Sequence, residues 1–283
     1  MQLRSSGCTS DFRNEPAIRR HKDVRDLAKS SMKISIITVV FNNADTIEDT
    51  IRSVASQKYS DIQHVIVDGG STDGTLSVLE KHRDKLAKVV SEHDQGMYDA
   101  MNKGLMLADG EVVGTLNADD FYAHTSVIGQ VASVFRDPDV DACYADLIYV
   151  DRATASKVIR YWKSCPFRDG LFAEGWCPPH PTFFVRKWVY ETYGRFDLSY
   201  ELATDVELMM RFLEAKKIRT VHVPRVWVKM RTGGTSNKSF RNILMQNINI
   251  ARAARQHNVP FNGATFLVQK LISRARQFYT KPR

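Results

Sequence analysis

The chain has 283 residues, 43% of them hydrophobic and 25% charged, an ordinary globular composition with room for one large domain and an appendage. No apolar run reaches the roughly 18 residues that a membrane-crossing helix needs, and the four cysteines (Cys8, Cys143, Cys165, Cys177) form neither a CxxC pair nor a zinc spacing, which favours reduced thiols in a cytosolic compartment over a disulfide frame. The net charge of +8 is uneven: after Glu214 there are fifteen basic residues and no acidic one, so residues 1–214 carry −7 and the remainder points to an anionic surface as partner.

Met1 to Ser31 is polar, carries Arg19-Arg20-His21-Lys22, and lacks the apolar core of a secretory signal. It reads as a poorly ordered extension ahead of a main domain over 32–235, with Met32 an alternative start. From Ile34 the chain alternates strand and helix, the pattern of a parallel sheet flanked by helices. Ile34–Val40 predicts a strand, and Ala44, Ile47, Ile51, Val54 and Ala55 a helix. Gln63–Val67 is a second strand, Thr75–His82 a second helix, and Val89-Val90 a brief third strand. Met97, Ala100, Met101, Gly104, Leu105 and Ala108 recur at helical spacing before Glu111–Leu116 returns to strand and runs into Asp119-Asp120.

Four polar loops follow these strands: Asn42-Asn43, Asp68-Gly-Gly-Ser-Thr-Asp73-Gly, Glu92-His-Asp94-Gln-Gly, and Asn117-Ala-Asp119-Asp120. On one edge of a parallel sheet they form a single crevice, where open α/β sheets bind nucleotides. The adjacent carboxylates of Asp119 and Asp120 suit a divalent cation held against a phosphate, or else a solvated acidic turn. Neither GxxxxGK[ST] nor GxGxxG occurs, so the Asp68 loop is not a Walker or dinucleotide fingerprint, and Asp73 reads as a turn and cap residue.

Further on, Leu208, Met209 and Phe212 form the apolar stripe of a helix with Asp205 at its start, where a carboxylate can be a cap or an acid–base group; Glu207 reads as a first-turn charge of the capping kind. Two helices are expected in the basic segment 236–283. Phe240, Ile243, Leu244, Ile248, Ala251 and Ala254 share one face. Beyond Pro260 and Asn262-Gly263, another face holds Ala264, Leu267, Val268, Leu271, Ile272, Ala275 and Phe278, opposite Lys270 and Arg274. Such a stripe packs on its own domain, on a partner subunit, or on an anionic membrane.

The succession ISIITVVFNN, VIVDGGSTDGT, SEHDQGMYDAMNKG, LNADD, PPHPTFFVRK and ATDVELMMRF resembles the family-2 glycosyltransferases of the GT-A fold, in particular bacterial enzymes that assemble surface polysaccharides. The resemblance covers roughly residues 32–235. It implies an α/β fold with a Rossmann-like, mostly parallel sheet flanked by helices, here with a helical C-terminal extension. It further implies an inverting transfer of a sugar from a nucleoside-diphosphate sugar to a saccharide or lipid-linked saccharide acceptor. Thr38, Phe41, Asn42, Asp68, Asp94 and Asp119 would bind the donor. This chain has Gly69 where many members carry a second Asp, so the carboxylate contact to a uracil is missing at that position. The metal motif matches Asn117-Ala118-Asp119 with Asn in first place, leaving Asp119-Asp120 to hold Mn²⁺ or Mg²⁺, Asp120 ahead of Asp119. Asp205 corresponds to the general base, with Thr204 in place of its usual acidic neighbour.

Trp176, His180 and Arg231 are candidates for the acceptor end: an indole that can stack on a sugar, an imidazole that can touch phosphate or metal, and a guanidinium that can clamp a diphosphate beside Gly233-Gly234. Each has a purely structural alternative. The resemblance places the protein in the cytoplasm, with contact to the inner face of the membrane through its C-terminal helices as an option. A nucleotide-sugar-binding scaffold without catalysis and a nucleotidyltransferase are the alternatives; no nucleic-acid partner is expected, because the basic tail lacks interleaved aromatics.

Overall fold

The computed structural model describes residues 31–233 and 240–279. Residues 1–30, 234–239 and 280–283, and with them the expected N-terminal extension and most of the glycine loop after Arg231, lie outside the described residues, as does the side chain of Phe240.

The chain runs β1 (Ile34–Val40), α1 (Ala44–Ala55), β2 (Ile62–Asp68), α2 (Thr75–Lys81), β3 (Lys88–Ser91), α3 (Met97–Leu107) and β4 (Val112–Thr115). Every residue of β1 is buried, as expected of a continuous apolar run in a parallel strand covered on both faces. β1 lies between β2 and β4, and β3 adds beyond β2, all parallel, so the four polar loops leave the same edge. These elements agree with the sequence periodicity to within a residue or two.

The second half, less legible in the sequence, is mixed. It comprises β5 (Asp120–Tyr122), α4 (Val127–Val134), β6 (Ala142–Val150), β7 (Val158–Trp162), β8 (Phe184–Arg186), α5 (Lys187–Tyr193), α6 (Thr204–Met210, continued by a π-helical turn, Arg211–Ala215) and β9 (Thr220–Arg231). Short 3₁₀ turns lie at Leu171–Glu174 and His180–Thr182. The sheet order is β3-β2-β1-β4-β8-β6-β9-β5, with β7 on β6. β8 is antiparallel to β4 and β6, β9 is parallel to β6, and β5 is antiparallel to β9. The result is the expected α/β sheet flanked by helices, parallel through its first four strands.

Apolar side chains fill both faces. Ile37, Val39, Val65 and Val67 pack with α3 and α6 on one, while Ile34, Ile36 and Val112 pack with α4, Phe184 and Trp227 on the other. Each fully buried aliphatic side chain contributes about 1.5–3 kcal/mol.

The C-terminal helices are α7 (Phe240–Gln256) and α8 (Gly263–Tyr279). α7 buries Ile250, Ala253 and Ala254 against the α3/α6 core. Its end is pinned by buried Glu207, which accepts from Arg211 Nε at 3.0 Å and bonds His257 Nε2 at 2.8 Å. Glu207 is therefore the hub of an ion-pair network and more than a first-turn charge. α8 differs from the packing expected of its stripe: Leu267, Val268, Leu271 and Phe278 are exposed, while Phe266 is buried and Lys270 and Arg274 are partly covered. The helix turns its cations inward because it seats on Gly175 through Phe266 and Lys270. A Cβ at Gly175 would lie 3.0 Å from the Lys270 backbone nitrogen and 3.1 Å from the Phe266 carbonyl oxygen.

Candidate active site

Asp68, at the carboxyl end of β2, organises the first part of the crevice. Its Oδ2 accepts from the backbone nitrogens of Gly70 (3.1 Å) and Ser71 (3.0 Å) and from Ser91 Oγ (2.6 Å). Its Oδ1 is buried with no partner, an unmet acceptor fixed on a rigid loop. Asn42, in the left-handed region at φ 47°, spends both polar groups on the same loop: its N–H donates to Ser71 Oγ, and its Oδ1 accepts from Thr72 N, each at 2.8 Å. Asp73 accepts from Ala44 N, Thr75 N and Thr75 Oγ1, tying the starts of α1 and α2 together as a turn residue; the N-cap of α2 is Gly74, not Asp73 as the cap reading expects.

Phe41 is 62% exposed at the end of β1. A Cβ at Gly69 would lie 2.5 Å from Asp94 Oδ2 and 3.4 Å from Phe41 Cδ2. The glycine thus makes room for the Asp94 carboxylate, and a slot with an aromatic wall and an acidic edge results. The carboxylate that the sequence lacks at position 69 is supplied there by Asp94. Thr38 is placed otherwise: it is fully buried within β1 and bonds His64 Nε2 at 3.0 Å, so it stands behind the crevice. Burial lowers the His64 pKa to about 3, which keeps that imidazole neutral.

The acidic pair is split by its surroundings. Asp120 opens β5 and is fully buried; Asn117 Nδ2 donates to its Oδ2 at 3.1 Å, while its Oδ1 has no partner. Burial, then the charge of Asp119, pushes its carboxyl pKa well above the usual range. Asp119 keeps 23% of its side chain exposed, with Arg152 Nη1 3.9 Å away. Asp119 is the accessible carboxylate and Asp120 lies behind it. Arg231 is buried, donating to the Asp119 carbonyl oxygen at 3.0 Å and to Asp49 Oδ2 at 2.5 Å. It braces the acidic loop through its backbone.

Among the described residues no three His, Cys, Asp or Glu side chains group as a metal site. Two neighbouring carboxyl groups, one accessible and one with a buried oxygen that has no partner, nevertheless fit a hard divalent cation that takes its remaining ligands from phosphates and water.

At the opposite wall, α6 begins after Ala203, whose φ of 64° turns the chain sharply. No side chain caps this helix, so Asp205 is not its N-cap. Its Oδ1 accepts from the Tyr98 hydroxyl at 2.9 Å, across 107 residues of sequence. Burial, then the Asp205 charge, raises the Tyr98 pKa well above its ordinary value, so the phenol stays a donor. Burial lowers the His180 pKa, against the pull of Asp205. His180 Nε2 lies 3.3 Å from Thr115 Oγ1 at the end of β4, which joins the Asp205 side to the strand that carries the acidic pair. Trp176 is half-buried in an aromatic cluster, 5.5 Å from Phe172, 5.8 Å from Tyr144 and 6.0 Å from Phe167 between ring centroids.

The structure thus brings Phe41, Asn42, Asp68 and Asp94 together, sets Asp119 before Asp120 and Arg231, and bonds Asp205 to Tyr98 and His180 to Thr115. Tyr98 and Ser91 were missed in the sequence: an isolated Tyr or Ser gives no signal until the fold aims it.

A sequence model of the family described as Glycosyl transferase family 2 matches residues 35–189. A PGL/p-HBAD biosynthesis glycosyltransferase of Mycobacterium tuberculosis is 30% identical over 207 residues, 72% of this chain and 78% of that relative. S. aureus TarS 1-349 superposes with a TM-score of 0.63 at 22% identity, covering 89% of this chain and 76% of that one; it has also been solved with UDP-GlcNAc. This chain spans 46% of a longer TarS structure. The mannosyltransferase PcManGT from Pyrobaculum calidifontis, solved with GDP-Man and Mn²⁺, has a TM-score of 0.59 at 18% identity, covering 89% and 77%. At these identities the structural matches establish a shared fold.

Proposed function

This chain belongs to glycosyl transferase family 2, and from that premise we propose that it moves a sugar from a nucleoside-diphosphate sugar to a hydroxyl of a saccharide acceptor, inverting the anomeric carbon. The observation that carries this reading is the Asp205 carboxylate, held by Tyr98 at 2.9 Å on a wall joined to the carboxyl end of β4. Asp205 takes the acceptor proton as the acceptor oxygen bonds to the anomeric carbon and the nucleoside diphosphate departs. The Tyr98 hydroxyl orients that carboxylate.

Phe41 and Asp94 form the slot for the base, the Asp94 carboxylate accepting from a ring N–H, and the free Oδ1 of Asp68 accepts from a base or ribose donor. Asp119, backed by Asp120, would hold Mn²⁺ or Mg²⁺, which when bound neutralises the charge developing on the leaving diphosphate. Neighbours solved with UDP-GlcNAc and with GDP-Man and Mn²⁺ support the donor class and the ion. A lipid-linked acceptor in surface-polysaccharide assembly, met at the cytoplasmic face of a membrane, is supported by the cationic C-terminal segment and the exposed apolar face of α8. No described helix is long and apolar enough to cross a membrane.

The test is a screen of nucleoside-diphosphate sugars with Mn²⁺ and saccharide acceptors, reading free nucleoside diphosphate and thermal shift. Wild type should release nucleoside diphosphate with an acceptor, and Asp205→Asn should bind donor without turnover. Pyrophosphate release from a nucleoside triphosphate would instead identify a nucleotidyltransferase, and turnover by Asp205→Asn at the wild-type rate would remove Asp205 as the base.

A further inference from the structure

Lys270 and Arg274, one helical turn apart on α8, lie on the side of the helix that turns into the protein. Lys270 Nζ donates to Asn247 Oδ1 at 2.7 Å and sits 5.1 Å from the Phe266 ring, both uncharged partners. Arg160 lies on β7, the strand on which α8 packs, its guanidinium 3.8 Å from the centre of the Tyr149 ring and its Nε buried without a partner. Among the described residues, no carboxylate forms an ion pair with any of the three. Burial and Arg274 lower the Lys270 pKa to about 8, and burial and Arg160 lower that of Arg274.

The Lys270 end of the cluster packs on Gly175, two residues before Cys177, whose thiol feels both Asp205 and Lys270; the Arg160 end stacks on Tyr149. Three partly covered cations without a counter-charge oppose folding, and an anion arriving from outside offsets that cost. On the reading above, the leaving diphosphate would take its counter-charge from a divalent ion held by Asp119, whereas the Lys270 end lies beside Gly175 and Cys177 on the Asp205 side, where the acceptor must sit.

We propose that Lys270, Arg274 and Arg160 receive a phosphoryl group carried by the acceptor, so that the acceptor substrate is an anionic, phosphate-bearing saccharide. The assignment rests on the glycosyltransferase reading above for which substrate brings the phosphate, while the anion site itself can be read without turnover.

Calorimetric titration of inorganic pyrophosphate into the whole chain, with EDTA to strip divalent ions, measures the site directly. Binding by Lys270→Gln/Arg274→Gln should be about 10-fold weaker or worse, with Arg255→Gln, an exposed cation of α7, as the charge control. Removing uncompensated cations does not threaten the fold, and circular dichroism checks it. No binding by wild type, or equal binding by the double variant, overturns the proposal. In the transfer assay, acceptors differing only in a phosphate monoester are compared: the double variant should raise KM about 10-fold for the phosphorylated one alone. A rise in donor KM instead would assign the cations to the donor diphosphate and overturn the acceptor role. So would displacement of pyrophosphate by phosphatidylglycerol vesicles and not by the phosphorylated acceptor. If no donor supports transfer, the enzymatic reading fails, and the calorimetry still decides the anion site.

Discussion

The Tyr98 hydroxyl donates to Asp205 Oδ1 at 2.9 Å, joining the first turn of α3 to the first turn of α6. The bond fixes a carboxylate on a helix that no side chain caps. Tyr98→Phe keeps the ring beside Phe196, 5.5 Å between centroids, so the fold should persist. A hydrogen bond to a charged group is worth about 1.5–3 kcal/mol, and kcat should drop roughly 10-fold or more while nucleotide thermal shifts stay as in wild type. An unchanged kcat would separate Tyr98 from the reaction.

The acidic pair predicts opposite outcomes for two similar substitutions. Asp120 has its pKa raised by burial and by Asp119, so its folded form holds more protons than the unfolded chain as pH rises past the usual carboxylate value. Stability is therefore lost with rising pH through that group. Asp120→Asn should remove that loss and raise the metal-free Tm at neutral pH. Asp119→Asn, at a partly exposed site, should leave Tm nearly unchanged and abolish the Mn²⁺-dependent part of the nucleotide shift. A full Mn²⁺-dependent shift in Asp119→Asn would return the metal to another carboxylate.

The first four strands and their loops were legible because apolar runs broken by polar residues at regular intervals leave little choice of fold. Asp68 and Asp205 stand at the end and the start of periodic elements, but it is the family resemblance of their motifs that singles them out as site residues. Thr38 could not be excluded by periodicity, since every side chain of β1 is buried and strand position alone does not say which faces the crevice. The order within Asp119-Asp120 depends on β5 pairing with β9, Asp120 opposite Met230, a contact between residues far apart in sequence. The orientation of α8 was equally hidden: its stripe faces outward because Gly175 admits the Phe266 and Lys270 side, and no local pattern in 263–279 records that.

Lys270 should be unfavourable to the fold it belongs to. Its folded pKa of about 8 lies below the ordinary lysine value, so between the two the folded chain binds fewer protons than the unfolded one, and stability rises with pH across that window. Lys270→Met should be more stable than wild type by about 1 kcal/mol at pH 7, after allowance for its remaining exposure. The difference should close as pH approaches the unfolded lysine value of about 10.4. Melting curves from pH 7 to 10.5 decide this; a less stable variant at pH 7 would mean that the cation is compensated within the fold.

The outward face of α8 carries Leu267 at 45%, Val268 at 54%, Leu271 at 68% and Phe278 at 60% exposure. It belongs to a segment with fifteen cations and no acid after Glu214. Apolar burial and attraction to anionic lipid reinforce one another on such a helix, so the protein should sediment with phosphatidylglycerol vesicles and be released by salt. Leu267→Gln/Leu271→Gln removes apolar surface that is already solvated in the free protein, so the unfolding free energy should stay within about 0.5 kcal/mol of wild type. Vesicle partitioning should fall about 10-fold or more, since each buried leucine contributes about 1.5–3 kcal/mol. Sedimentation of the variant equal to wild type would take this face away from the membrane. A wild-type dimer that the same substitutions convert to monomer would assign it to a second copy of the chain.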